Sequence, residues 1–307
     1  MKRVLVTGAT GFVGRHCPPA LVARDYEVHA VVRHLPIEPA PDVRWHQADL
    51  LDETQTRALI EHVRPTYLLH LAWYAVPGQY WTSTENLRWV RASLNLFQAF
   101  ATQGGRRIVA AGTCAEYDWR YGYCTERVTP LAPATLYGTC KHALQRILEA
   151  YAAQANLSAA WGRLFFLYGP HEHESRLVAS VIRAMLRAEP ARSSHGRQVR
   201  DFLYTLDAAD AFAALLDSDV TGALNIASGQ PVSLREVIAE TAAQLSAERL
   251  VALGALPAPP NEPPLLVADV RRLTEEVGWR PRYELRAGLA ATINWWRDEL
   301  AREVNAG

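Results

Sequence analysis

Thr7-Gly8-Ala9-Thr10-Gly11-Phe12-Val13-Gly14 directly follows a short apolar run, Arg3 to Thr7, and restricts the possible folds more than any other feature of the chain. An apolar run of that length ending in a glycine turn reads as a buried strand. Glycines at positions 8, 11 and 14 suit a tight turn, close approach of backbone to a pyrophosphate, and close packing of the next helix. A helix starting there offers unpaired N–H groups and a positive dipole end to phosphate. The placement between strand and helix separates this pattern from a merely structural turn.

The segments that follow keep the same rhythm. Strand-like runs occur at Val28–Val32, Val43–His46, Thr66–Ala72, Arg107–Ala111 and Ala160–Phe166. Helix-length segments lie between them at Thr54–Val63, Glu85–Thr102 and Leu136–Asn156. Such alternation implies right-handed crossovers and a parallel sheet covered on both faces. The expected fold is therefore α/β, a Rossmann-type doubly wound parallel sheet with a smaller C-terminal substrate-binding lobe. The two lobes interleave in sequence: 1–165 plus 203–228 form the dinucleotide lobe, and 166–202 plus 229–307 form the other. A helix at Leu177–Ala188 and an aromatic strand near Phe202–Tyr204 open the second part, and Pro257–Pro264 reads as an extended surface connection. Pro18-Pro19 falls where the first helix should be in its second turn, which predicts a kink or early break there.

Composition excludes several function classes. Lys plus Arg equals Asp plus Glu at 32 each, so charge provides no case for nucleic acid or an anionic membrane surface as partner. No apolar run is long enough to span a bilayer, and no secretory signal pattern is present. The four cysteines, Cys17, Cys114, Cys124 and Cys140, show neither metal nor disulfide spacing. They read as free thiols in a reducing compartment, which points to a cytoplasmic protein.

Two positions bear on the dinucleotide. An NAD enzyme of this architecture places an acid on the ribose 2′-hydroxyl about twenty residues past the glycines. Here the second strand ends in Val31-Val32-Arg33-His34, without an acid. Arg33 can instead pair with a 2′-phosphate, which favours NADP(H) over NAD(H); a solvated surface arginine is the alternative. Asp49-Leu50 is placed to meet the adenine, and Asp49 reads equally as an N-cap of the next helix.

Tyr137 and Lys141 stand at i and i+4 on a predicted helix and so share one face. A nearby ammonium favours tyrosinate, which makes Tyr137 a credible acid/base for interconverting a hydroxyl and a carbonyl. Thr113 follows the fifth strand, at the carboxyl end of the sheet where ligands bind, and its hydroxyl can meet the reacting oxygen.

The order of these motifs resembles the extended short-chain dehydrogenases/reductases of the sugar-nucleotide epimerase, dehydratase and ketoreductase group. The likeness spans nearly the whole chain. It takes in TGATGFVG, His70-Leu71-Ala72, Thr113 before Glu116-Tyr117, Tyr137 with Lys141, Leu167-Tyr168-Gly169-Pro170, Gly196 to Phe202, Leu224 to Gly229, and Val277-Gly278-Trp279-Arg280-Pro281. The resemblance implies a catalytic trio of Thr113, Tyr137 and Lys141, with Lys141 also on the nicotinamide ribose. It implies that Gly8, Thr10, Gly11, Phe12, Val13 and Gly14 cradle the cofactor. Leu71 and Ala72 would line it, and Leu164 and Phe165 would lie near the nicotinamide. Arg200 would reach the substrate diphosphate, and Arg176 and Leu177 the base or its ribose. Homodimerisation through Glu85–Thr102 and Leu136–Asn156 is implied in the same way.

Dehydratases of this group follow the threonine with an Asp-Glu pair, whereas this chain has Cys114 and Ala115, which disfavours simple dehydration. With Arg33, the expected reaction is NADPH-dependent reduction of a keto group, at C4, of a deoxysugar nucleotide. The alternatives are a sugar-nucleotide epimerase that retains NAD(P) and a non-catalytic NADP-sensing protein. Trp89 and Phe166 replace asparagines common in the group, which bears on the substrate's pose. Trp73-Tyr74 and Tyr80-Trp81 suit either a sugar pocket or the core. His171-Glu172-His173-Glu174 reads as a substrate-side loop rather than a metal site, because alternating neighbours rarely converge on one ion. Trp295-Trp296 reads as packing.

Overall fold

The computed structural model describes residues 2–35, 40–258 and 262–306. Its strands are β1 (Lys2–Thr7), β2 (Tyr26–Val32), β3 (Val43–Gln47), β4 (Tyr67–His70), β5 (Arg107–Thr113), β6 (Tyr123–Cys124) and β7 (Ser158–Leu164). They continue with β8 (Phe166–Tyr168), β9 (Ala191–Arg192), β10 (Val199–Tyr204), β11 (Gly222–Ile226), β12 (Pro231–Ser233), β13 (Val251–Ala252) and β14 (Leu265–Ala268). The helices are α1 (Cys17–Val22), α2 (Glu53–Val63), α3 (Glu85–Thr102), α4 (Leu136–Ala155), α5 (Leu177–Leu186), α6 (Thr205–Asp217), α7 (Leu234–Leu245) and α8 (Leu285–Ala306).

Seven strands form one sheet in the order β3-β2-β1-β4-β5-β7-β11, every neighbouring pair parallel. The expected doubly wound fold is present. Alternate residues of each strand serve opposite faces. Val4 and Val6 pack with Leu21 of α1 and the alanine-rich face of α6. Leu5 lies between them in sequence and faces the other way, onto Ile60, Leu96, Phe97 and Leu144 of α2, α3 and α4. The chain leaves β1 outward in both directions, so the topological switch point falls between β1 and β4. Ligands bind in the crevice at such a point.

A second sheet, β12-β10-β14-β6 with β8 paired to β10, is backed by α5, α7 and α8. It takes one strand, β6, from the N-terminal half. The expected strand Ala160–Phe166 is in fact two: β7 ends at Leu164, and Phe166–Tyr168 pair instead with Phe202–Tyr204. Continuous apolar character conceals that change of sheet, because both strands are buried.

The expected break in the first helix is present. A 3₁₀ turn over Gly14–His16 precedes α1, and the prolines fall in the first turn of α1. An N–H there has no intrahelical acceptor, so proline removes nothing. Residues 259–261 of the expected extended connection lie outside the described residues. Among the described residues, no helix is long and apolar enough to cross a membrane, and all four cysteines are free and buried.

Candidate active site

The glycine turn is built by close backbone approach. Gly8 has φ +70, and a Cβ there would lie 2.8 Å from the Ala72 amide nitrogen. A Cβ on Gly14 would lie 2.0 Å from the Gly8 carbonyl oxygen. The first residue of the cradle is thus pressed against the end of β4 and the last against the first, which leaves the amide-rich surface of Thr10 to Val13 open at the carboxyl end of β1. This fits a dinucleotide pyrophosphate. Arg15 braces the turn by donating to the carbonyls of Thr10 (2.8 Å) and Gly11 (3.2 Å), and Thr205 donates to the Phe12 carbonyl.

Below the turn, Thr7 Oγ1 accepts from the amides of Leu71 and Ala72, each at 3.1 Å, and lies 2.8 Å from His70 Nδ1. His70 Nε2 lies 2.8 Å from Ser93 Oγ, which donates to the Trp89 carbonyl at 2.7 Å. One proton arrangement satisfies every group: Thr7 donates to Nδ1, and Nε2–H donates to Ser93. Burial holds the imidazole neutral, pushing it down to about 3, and the Lys141 charge acts in the same direction. Leu71 and Ala72 are thereby fixed opposite the glycine turn.

Thr113 ends β5. Its hydroxyl accepts from the Ala115 amide, and its own amide donates to Glu116 Oε1 at 2.9 Å, forming a capping box for the 3₁₀ turn Cys114–Glu116. Glu116 is fully buried and also accepts from Trp161 Nε1 (2.8 Å) and Arg163 Nε (2.7 Å). Arg163 donates to the Tyr117 hydroxyl, which donates to Asn225 Oδ1 at 2.7 Å. This network locks the backbone that carries Thr113.

Thr135 caps α4 by accepting from the Gly138 amide. A Cβ on Gly138 would lie 2.3 Å from the Ala115 carbonyl oxygen, so only glycine lets α4 start against the Cys114–Glu116 turn. That approach brings Tyr137 to Thr113. Burial raises the Tyr137 phenol, and polar contact with the Thr113 side chain works against it. Lys141 is buried on the next turn, donates to the Ala111 carbonyl at 2.9 Å and lies 3.8 Å from the centre of the Trp73 ring. Burial lowers it to about 7, with Glu116 opposing. The expected lowering of Tyr137 by Lys141 is therefore corrected: the ammonium is held by Ala111 and Trp73, and Thr113 supplies the opposing contact.

The undecided aromatics belong here. Trp73 lies over Lys141, while Tyr80 and Trp81 pack on Tyr137 with ring centres 4.8 and 5.8 Å away. The Tyr137 amide donates to the Trp81 carbonyl. Arg176 reaches the Tyr80 hydroxyl from the N-terminus of α5, whereas Leu177 packs toward Val181 and Ile238. Phe165 is buried against Tyr117 and Cys114, and Leu164 is half-buried at the end of β7. Arg200 is buried beside the Phe166 ring and bonded to Glu262 at 2.8 Å. Arg33 is exposed just past β2 and makes no ion pair among the described residues. Leu50 is buried, while the Asp49 carboxylate accepts from the Leu51 amide. The N-cap of α2 is Asp52, not Asp49. The side chains of the His171–Glu174 segment diverge: His171 packs at a tilt against Trp295, Glu172 is buried, His173 bonds Ser175, and Glu174 pairs with Arg183. Trp296 packs in the core formed with α5.

The sequence profile of the NAD dependent epimerase/dehydratase family matches residues 4–227. The chain belongs to this family. It is 27% identical to UDP-glucuronic acid decarboxylase 1 of Xenopus tropicalis, over 99% of this chain and 74% of that one. It is 25% identical to UDP-glucose 4-epimerase of Rhizobium meliloti (strain 1021), over 96% and 97% of the two chains. Among solved structures, MoeE5 in complex with UDP-glucuronic acid and NAD superimposes with a TM-score of 0.83 at 32% identity, covering 97% of this chain and 99% of that one. Family members of this kind are enzymes, and the fold is the one expected from the motifs, with Tyr137 against Thr113 and Lys141 one helical turn further along α4. Roles for Glu116, Arg163, Gly138 and the Thr7–His70–Ser93 chain were not legible from the motifs. Glu116 alone left a signal, the Thr-x-x-Glu spacing of a capping box.

Proposed function

We propose that this family member is a nucleotide-sugar epimerase that oxidises a secondary carbinol, most simply C4, and reduces it again from the opposite face. One observation carries the reading. Tyr137 stands against Thr113 at the carboxyl end of the sheet, and the residues after Thr113 are Cys114 and Ala115, neither able to take a proton for elimination. The cradle of Gly8 to Gly14 fits a nicotinamide dinucleotide, which when bound supplies reversible hydride exchange. Tyr137 takes the hydroxyl proton as the carbonyl forms and returns it as the carbinol is restored. Thr113 hydrogen-bonds the reacting oxygen, and the Glu116–Arg163 network keeps it aimed. The names of the relatives support a UDP-sugar, UDP-glucose or UDP-glucuronic acid, as substrate.

Incubation with either sugar nucleotide deuterated at C4, without added cofactor, tests this. An epimer that keeps its deuterium supports the reading, and Tyr137→Phe should abolish its formation with the fold intact. Absence of any epimer, together with NADPH consumption by a 4-keto-6-deoxy sugar nucleotide, would replace it with the second reading.

That second reading is NADPH-dependent reduction of a deoxysugar nucleotide at C4, favoured by the exposed Arg33 where an acid would select NAD. Calorimetry with NADPH and NADH separates the two. Under the second reading Arg33→Ala weakens NADPH about tenfold and leaves NADH unchanged. The division into a dinucleotide lobe (1–165 plus 203–228) and a nucleotide-sugar lobe (166–202 plus 229–307) belongs to the same proposal. So does a homodimer through α3 and α4, whose exposed Leu87 and Ile147 suit a helix interface; the mass in solution tests it.

A further inference from the structure

The face of the Trp73 indole is the nearest partner of the Lys141 ammonium after the Ala111 carbonyl. The indole is itself anchored. Trp73 Nε1 donates to Asn86 Oδ1 at 2.8 Å, and the fully buried Asn86 donates to the carbonyls of Tyr80 (2.7 Å) and Ser83 (2.8 Å). Asn86 thus clasps both ends of the segment that carries Trp73, Tyr80 and Trp81. A second ring, Trp161, stands 5.9 Å from the same nitrogen.

From this geometry we infer that Trp73 is a positioning residue for the proposed reaction, holding the Lys141 ammonium as a cation on the face of its indole, one helical turn after Tyr137 on α4. An ammonium buried without a bonded carboxylate is costly to keep charged. The titratable groups that feel its charge are two: Glu116 from the turn after β5, itself paired with Arg163 of β7, and His70 from β4. His70 is held neutral, and the Glu116 charge is taken by Arg163. The quadrupole of an indole face offsets the burial of the cation, and tryptophan does this best among the aromatic side chains.

The chain permits a direct measurement, because Lys2 and Lys141 are its only lysines. Lys2 is partly exposed and pairs with Asp217, so it serves as an internal reference. The whole protein, labelled with ¹³C at lysine Cε, should show two signals, that of Lys141 displaced by the indole ring current. In Trp73→Leu the ring-current displacement should vanish and the Lys141 titration midpoint should fall by about one pH unit, with Lys2 unmoved. Trp73→Phe keeps a ring, should fold even if the leucine variant does not, and should lower the midpoint by about half as much. An unchanged midpoint in either folded variant, or a wild-type Lys141 signal without ring displacement, overturns the inference. The inference rests on the proposed role of Lys141, yet this measurement needs no substrate. If the variants shift the midpoint while the wild type epimerises no sugar, the proposed function fails and the Trp73–Lys141 contact stands.

Discussion

Glu116→Gln isolates the network behind Thr113. The substitution keeps the size of the side chain and removes its charge. The carboxylate accepts from three donors: the Thr113 amide, Trp161 Nε1 and Arg163 Nε. Glutamine presents one oxygen and one NH₂ group. With the oxygen toward Thr113 and Trp161, the NH₂ group faces the Arg163 N–H; turned the other way, it faces two donors. Either way a donor meets a donor. Arg163, 1% exposed, keeps only the Tyr117 hydroxyl as a partner. Removing one member of a buried ion pair costs roughly 3–5 kcal/mol. At roughly 2–4 °C per kcal/mol for chains of comparable size, the thermal midpoint should fall by about 6–20 °C. Urea and thermal unfolding followed by circular dichroism measure this. The double variant Glu116→Leu with Arg163→Leu should lose less than Glu116→Gln alone, because it leaves no uncompensated charge. A loss below about 1 kcal/mol in Glu116→Gln, or a double variant that costs the sum of its singles, would refute the assignment of this pair as the anchor of Thr113.

Three further outcomes are expected. Gly14→Ala places a carbon 2.0 Å from the Gly8 carbonyl oxygen, so the turn must open by more than about an ångström; dinucleotide affinity should fall at least about a hundredfold by calorimetry, while stability drops only about 1–3 kcal/mol. His70 stays neutral in the folded chain down to about pH 3, whereas an unfolded histidine takes its proton near pH 6.5. Its contribution is therefore complete above about pH 6.5 and is lost, at about 1.4 kcal/mol per unit, as pH falls below that; urea midpoints at pH 7, 6 and 5 should show a shallower acid loss in His70→Leu, and equal slopes would count against it. Lys141 is lowered by burial to about 7, so the unfolded chain holds its proton more tightly from about pH 10.5 down to 7. Lys141→Met should abolish activity yet stabilise the fold at pH 7 by roughly 1–3 kcal/mol, a gain that fades toward pH 10.5.

Local order in the sequence determined the doubly wound sheet, the glycine cradle and the split first helix. Strand periodicity, helix length and the restrictions of glycine and proline act within a few residues, so they are visible wherever the chain is read. The bounds of α3 were legible to the residue. The identities of Thr113, Tyr137 and Lys141 came from the order of motifs along the chain. What held them in place did not. The chain passes from one sheet to the other at Phe165, inside an unbroken apolar run, because pairing partners come from β10, more than thirty residues onward. Nothing local marks Gly138, and only the approach of α4 to the Ala115 carbonyl shows that it cannot be larger. Lys141 looked like the group that tunes Tyr137, yet its ammonium lies on Trp73, which the chain delivers just past the end of β4. Arg163 and Glu116 meet across 47 positions of sequence. Burial, ion pairing and ring contacts depend on which distant segments a fold brings together, and only the tertiary structure decided those.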